Sequence, residues 1–356
     1  VLNQSLLLVL LLTVLCAAII LPLLPHILQW MQTSGELQGL AQEYFLIRMF
    51  GLPAALMMHV LVGWLLGIQN ARAALWMLLL CNAVNIVLDV YFVFFLNWEV
   101  AGAARASVMA EWSGALLGLY LAWRYVDKGP LLDFWQKLLR WHSWRPLLAV
   151  NRDILIRSLA LQAVFFLVTF QGARLGDSTV AANALLLNGL LLCAYALDGL
   201  AHALEALTGH ALGRQDKSAL QRALALVSIY SLIASSVFAV LFWLLGDWFI
   251  ALQTTISSVR ATAGDYLVYL ALLPLIAVWS YVLDGLFIGA TRAREMRNAM
   301  LMAVLVCAPI AWWLQSFGNH GLWLAFLLFM ALRAGFLGLS ARHWPRWFNA
   351  AQITER

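Results

Sequence analysis

The chain has 356 residues, of which 64% are hydrophobic and 11% charged, against roughly 45–50% and about 25% in soluble domains. No soluble fold of this length has enough interior to hide so much apolar surface. With a mean hydropathy of +0.86, the composition excludes a soluble enzyme and reads as an all-α polytopic membrane protein. The net charge of +5 then concerns membrane orientation, not nucleic acid.

A membrane-crossing helix needs about 20 apolar residues. Ten such runs follow one another, at roughly 6–30, 38–67, 73–97, 101–125, 150–173, 179–211, 219–246, 260–290, 297–316 and 321–342. Helices are expected throughout, because an open strand cannot satisfy its backbone polar groups in lipid and no barrel-like alternation is present. Many of the 17 tryptophans lie near run ends, as interfacial anchors do. Cys16, Cys81, Cys193 and Cys307 all lie within apolar runs, without CxxC spacing, and suit helix packing. If the first run starts in the cytoplasm, sixteen Arg and Lys fall on cytoplasmic connections and the tail. Only Arg105, Arg174 and Arg260 fall outside. That imbalance orients the chain with both ends cytoplasmic.

The longest connection, 126–149, carries Leu131, Leu132, Phe134, Trp135, Leu138, Leu139 and Trp141 at helical spacing, with Asp133, Lys137 and Arg140 between them. It is expected to form an amphipathic helix on the inner membrane face, at 127–149. The chain then divides into residues 1–126, with four spans, and 150–356, with six. Displaced by 222 residues, Gly63, Gly67, Ala71 and Arg72 fall on Gly285, Gly289, Ala293 and Arg294. Glu43-Tyr44 falls on Asp265-Tyr266 and, with a one-residue slip, Pro53 on Pro274. This ordered series marks a parallel duplication of six spans. By that symmetry the first half lacks two spans, which would precede Val1 and start roughly seventy residues upstream. The glycine pairs suit close helix packing, or sliding and bending of one helix during transport.

Charge within the bilayer costs several kcal/mol, so it needs a partner or a purpose. Asn82, Asn85 and Asp89 share one face of the third span, and Ser107 and Glu111 share a face of the fourth. A carboxylate, an amide oxygen and a hydroxyl are the hard donors of a proton or Na+ site; they also suit an interhelical hydrogen-bond network. In the second half Asp198, His202 and Glu205 line one helix, and Asp284 lies in the span with the second glycine pair. These acids could face a cavity and hold an organic cation, or pair with Arg157, Arg333 or backbone. His59 reads as a packed, hydrogen-bonded residue, and Glu43 and Asp265 as openings of their helices. No Gly-rich phosphate loop, G-x-S-x-G or H-E-x-x-H is present, so neither a cofactor nor an enzymatic activity is expected.

Asn82-Ala-Val-Asn85-Ile-Val-Leu-Asp89, with Val100-Ala-Gly-Ala-Ala-Arg-Ala-Ser107, resembles the fifth and sixth helices of MATE (multidrug and toxic compound extrusion) transporters. Asp198-Gly-Leu-Ala-His-Ala-Leu-Glu205 and Leu283-Asp284-Gly-Leu-Phe-Ile-Gly-Ala-Thr-Arg look like the DinF (DNA-damage-inducible protein F) branch of that family. The resemblance runs from the family's third helix to its twelfth. It implies a two-lobe bundle of six plus six helices, ten of the twelve present here. It also implies a monomeric exporter of drugs, chiefly lipophilic cations, in exchange for H+ or Na+ (H+ preferred here), in the bacterial inner membrane and in contact with its lipids. The family's cation site places Asn85 and Asp89 on the fifth helix and Ser107, in place of Thr, on the sixth. Asn82 is added here, one turn away. The first-helix Asp of that site is not in this chain. Asp198, Glu205, Asp284 and Glu111 are assigned to the substrate cavity. An alternative in the same superfamily is a flippase that exports lipid-linked saccharides and needs a cationic cavity for pyrophosphate.

Overall fold

The computed structural model describes residues 2–30, 35–125 and 141–350. Helices α1 (Leu2–Trp30), α2 (Gly35–Met49), α3 (Leu52–Gly67) and α4 (Ala71–Asp89) are followed by a π-helical turn at Val90–Phe95 and by α5 (Glu99–Trp123). Then come α6 (Trp141–Arg174), α7 (Asp177–Gly213), α8 (Lys217–Gln253), α9 (Ser257–Asp265), α10 (Leu267–Gly289), α11 (Ala293–Leu314) and α12 (Gly318–Ala341). A short α13 (Trp347–Ala350) ends the described chain. No strand occurs among the described residues. The chain divides into two compact units, Val1–Leu147 and Leu148–Arg356.

Each of the ten apolar runs corresponds to a helix or a helix pair, but fewer qualify as spans by length and apolarity alone. Seven stretches do, or eight if the bent pair of α2 and α3 is one span. One stretch, Ala293–Ala341, holds both α11 and α12. These fold back on each other, so that the Cys307 thiol meets the Ala325 carbonyl at 3.3 Å. The other shortfall is α5, which carries Glu99, Arg105 and Glu111 and is rich in small residues.

Those small residues explain the packing of the first unit. Gly102, Ala106, Ala110, Gly114, Gly118 and Ala122 recur every fourth position along α5 and are all buried. The stripe lets α3 and α4 approach closely. A methyl group at Gly118 would overlap the Met77 sulfur, and one at Gly114 would lie 2.9 Å from the Met58 sulfur. In the second unit α7 and α10 make the corresponding contact. A methyl at Gly285 would overlap the Ala201 carbonyl, and one at Gly289 the Glu205 carbonyl. The second glycine pair is therefore a close-packing device. Gly63 and Gly67 have nothing near their Cβ positions among the described residues, so the two copies of the motif sit in different surroundings.

Local structure departs from expectation at four places. Residues 126–140 of the amphipathic connection lie outside the described residues, and residues 141–149 form the start of α6 instead of ending a separate helix. Glu43 lies in the middle of α2, and Asp265 closes α9, so neither opens a helix. The break in the first span pair comes at Phe50-Gly51, directly before Pro53, whose missing N–H suits the first turn of α3. His59 is exposed on α3, not packed inside.

Side-chain N-caps occur at the starts of α4 and α8. Asp216 caps α8, accepting from the Ala219 N–H at 2.9 Å and the Ser218 hydroxyl at 2.7 Å. The Ala219 amide first, then the Ser218 hydroxyl, hold its carboxyl below the ordinary aspartate range. A depressed folded-state value means the cap's contribution is present above the unfolded pKa and lost as pH falls through the folded one. Amide exchange in the first turn of α8 should accelerate below about pH 4, and Asp216→Asn should remove that dependence; exchange that ignores pH in this range would contradict the cap. Gly285→Val should force α7 and α10 apart and cost about 1–3 kcal/mol, read as a lower Tm in detergent. An unchanged Tm would show that the close approach is absent.

Candidate functional site

The two units each carry polar groups within their helices, and in each some of the acids are paired with arginine and others are not. In the first unit, α4 presents Asn82, Asn85 and Asp89 one turn apart. α5 brings Ser107 opposite, so that the Asn85 amide donates to the Ser107 hydroxyl at 3.5 Å. Asp89 is the last residue of α4, where the helix widens into the π turn Val90–Phe95. Such turns open the backbone ladder and often accompany functional positions. Neither arginine nor lysine pairs with Asp89 among the described ion pairs, and its Oδ1 is buried without a hydrogen-bond partner. Asn82 departs from the expected grouping. It is exposed, and its amide returns to the Leu78 carbonyl of its own helix at 3.0 Å. The site thus narrows to Asn85, Asp89 and Ser107.

Glu111 lies one turn beyond Ser107 on α5 and does not offer a free carboxylate. Arg48, at the end of α2, grips both its oxygens, at 2.9 and 2.6 Å. Such two-point pairing is geometrically specific and strong. The Trp112 indole donates to the Phe50 carbonyl at 3.0 Å. Together these contacts tie α5 to the break between α2 and α3. Glu111, assigned from sequence to a substrate cavity, thus has its charge already matched by Arg48.

In the second unit Asp284 is also committed. Its Oδ2 accepts from Arg157 of α6 at 2.7 Å and, more closely still, from Arg333 of α12. Asp284 is 8% exposed and Arg333 only 4%. Of the two readings open from sequence, pairing with arginine is the one the structure displays, and Asp284 is not available as a free acid for a cationic substrate. Asp198 is different. It is half-buried on α7, makes no side-chain hydrogen bond among the described residues, and feels the charges of His202, Asp284, Arg333 and Arg157. Glu205 accepts from His202 at 3.2 Å on the exposed side of the same helix. Asp153, near the start of α6, is buried and bound by Arg297 of α11 at 2.6 Å and Arg152 at 3.1 Å.

Two features were missed from sequence. A buried ring of amides links α7 to α12: Asn183 and Asn319 exchange hydrogen bonds at 2.8 and 3.0 Å, and the Trp323 indole adds a third at 2.9 Å. Single Asn residues within apolar runs gave no spacing signal. The second is a cavity of about 500 Å³ between α6, α11 and α12, lined by apolar residues such as Val168, Ala308 and Phe329 with Gln171, Arg174 and Gln315.

An all-helical membrane protein with a duplicated plan, in which Asp89 has no basic partner among the described ion pairs while Glu111, Asp153 and Asp284 are matched by arginine, is the class these features define. The chain belongs to the MatE family, whose match covers residues 1–91 and 154–313. It is 43% identical over 315 residues to DNA damage-inducible protein F of Escherichia coli (strain K12), an alignment spanning 87% of this chain and 68% of that protein. It is 26% identical over 325 residues to a probable multidrug resistance protein NorM of Rhizobium meliloti (strain 1021), spanning 84% of this chain and 67% of that one. A crystal structure of MATE in complex with MaL6 superimposes with a TM-score of 0.85 at 22% identity, covering 97% of this chain and 79% of the other. That likeness supports the MATE fold.

Asp284 is held by the buried Arg333 and the partly buried Arg157, so removing its carboxylate takes the hydrogen-bond partner from both. Asp284→Asn should therefore destabilise the second unit by about 3–5 kcal/mol, seen as a lower Tm and lower yield from membranes. Wild-type stability in that variant would mean that Arg157 and Arg333 find other partners.

Proposed function

We propose that this protein is a cation-coupled exporter of organic compounds, driven by exchange with protons. It is neither an enzyme nor an ATP-driven pump. The observation that carries this reading is the Asp89 carboxylate. It lies at membrane depth with one oxygen buried and unpartnered, beside the Asn85–Ser107 pair that links α4 to α5. An intramembrane acid without a basic partner is costly and is the natural site for an exchangeable cation. Protonation removes its charge and changes what α4 and α5 must accommodate. A proton can drive export only through different affinities in the inward- and outward-open states. Na+ would compete for the same oxygens. The name of the Rhizobium relative, which speaks of multidrug resistance, is consistent with lipophilic organic cargo. So are the free Asp198 of α7 and the half-buried Glu205.

The chain would act as a monomer in the bacterial inner membrane, with both of its ends in the cytoplasm, surrounded by lipid. Flipping a lipid-linked saccharide is disfavoured. Its pyrophosphate brings at least two negative charges, whereas Arg48 is matched by Glu111 and the Arg157–Arg333 pair faces Asp284 and Asp198.

Asp89→Asn in the protein as its gene encodes it should abolish gradient-driven efflux of a lipophilic cationic dye from pump-deficient bacteria, by at least about ten-fold, while membrane insertion is unchanged. Collapsing the proton gradient should have the same effect on wild type, and collapsing the sodium gradient should not. Undiminished efflux by the variant would refute the role of Asp89.

A further inference from the structure

The cavity between α6, α11 and α12 lies where the duplication puts the second unit's counterpart of the Asn85–Asp89–Ser107 site. The displacement of 222 residues that aligns Ala71 and Arg72 with Ala293 and Arg294 also lays Phe95-Leu96-Asn97-Trp98 on Phe317-Gly318-Asn319-His320. By that displacement α4 corresponds to α11 and α5 to α12. Asn85, Asp89 and Ser107 then fall on Cys307, Ala311 and Phe329, and Asn82 falls on Val304. All four counterparts line the cavity. The second unit has therefore kept the space of the first unit's site and lost its oxygen donors. The Cys307 thiol is engaged by the Ala325 carbonyl at 3.3 Å, and no carboxylate lines the wall. With neither the amide nor the acid left in that wall, a cavity of about 500 Å³ suits an apolar occupant instead of a coupling cation.

The polar groups of this cavity gather at one end. Gln171 and Arg174 belong to the last turn of α6, and Gln315 directly follows α11. From Val164 to Arg174 the lining runs along about 15 Å of helix. That is half of the roughly 30 Å of a bilayer's hydrocarbon core, and so the depth of one leaflet. Trp312 lines the cavity near the polar end, and it, Trp313 and Phe317 are exposed, as aromatic side chains are at the level of lipid headgroups. Arg174 is exposed at the same end and enters no ion pair among the described residues. A guanidinium at the mouth opposes a cationic cargo and matches a phosphate. An apolar slot one leaflet deep, with a cationic group where the headgroups lie, has the chemistry of a lipid seat. We propose that the cavity holds one acyl chain of an anionic phospholipid, with the phosphate on Arg174 and the amides of Gln171 and Gln315 beside it. The lipid is a resident of the second unit, not its cargo. Only the choice of leaflet, the one away from the cytoplasm, rests on the orientation proposed above; binding itself does not depend on coupling through Asp89.

Native mass spectrometry of the full-length protein in detergent reads this binding. The probes are phosphatidylglycerol and phosphatidylcholine with the same acyl chains; the choline cation of the second offsets its phosphate. Wild type should retain one phosphatidylglycerol about five-fold more tightly than phosphatidylcholine, the effect of one arginine at a membrane surface. Arg174→Gln, at an exposed position, should remove that preference, and Arg174→Lys should keep most of it. Ala311→Leu fills the cavity and should abolish retention of both lipids. Ala308→Leu, at a more exposed lining position, repeats that test if the first variant lowers the Tm. Equal wild-type affinities, a preference that survives Arg174→Gln, or undiminished retention in both filled variants would overturn the proposal. So would one-for-one displacement of the lipid by tetraphenylphosphonium, which would make the cavity a cargo site. Efflux through Asp89 is read in a separate assay, and its failure leaves these outcomes as they are.

Discussion

A charge enclosed by apolar helices has to be matched, and the arrangement of this protein follows from how each one is. Few charged side chains lie deep in the apolar stretches, and three arginines there have been drawn to acids on other helices. Arg48 reaches from α2 to Glu111 on α5, and Arg157 and Arg333 converge from α6 and α12 on Asp284 of α10. Such pairs need not add net stability compared with well-packed apolar side chains, but breaking one strands its partner. They therefore fix which helices are neighbours more firmly than they fix overall stability. Against that background Asp89 stands apart, as a carboxylate with a buried, unpartnered oxygen and no arginine or lysine paired with it among the described ion pairs.

Matching at this distance is available only where helices come close. The four-residue repeat of glycine and alanine along α5, and Gly285 and Gly289 on α10, remove the side-chain bulk that would hold backbones apart. In lipid this contact supplies van der Waals attraction where the hydrophobic effect offers no preference between helix and solvent. One helix performs both tasks in the first unit. α5 offers its small face to α3 and α4, and from its length also projects Ser107 toward Asn85 and Glu111 toward Arg48.

Irregular backbone occurs beside these polar groups. The span of α2 and α3 bends by 49° next to the Arg48–Glu111 pair. The π turn begins directly after Asp89, and α9 gives way to α10 at Tyr266. Interruptions at membrane depth are tolerated where the freed backbone groups find partners inside the protein, and the Trp112 indole on the Phe50 carbonyl is one such partner. A transporter needs elements that can take two arrangements, and breaks of this kind are where a helix can change direction without losing its whole hydrogen-bond ladder.

The sequence by itself determined the helical membrane class, the duplication and the positions of the rare intramembrane acids. These depend on the composition of each run and on spacing along a helix, both local properties. It also placed Asn85, Asp89 and Ser107 on facing helices through their resemblance to a known family. What only the tertiary structure decided was the electrostatic state of each acid. From sequence, Asp284 is open between facing a cavity and pairing with Arg157, Arg333 or backbone, and Glu111 reads as a cavity acid. The arginines that match them lie 127, 49 and 63 residues away, and no local pattern encodes such a meeting. The same holds for Asn183 and Asn319, 136 residues apart and locked together, and for the place where a bent span breaks. Whether a buried acid is free or matched depends on which helix faces it, and that is settled by packing.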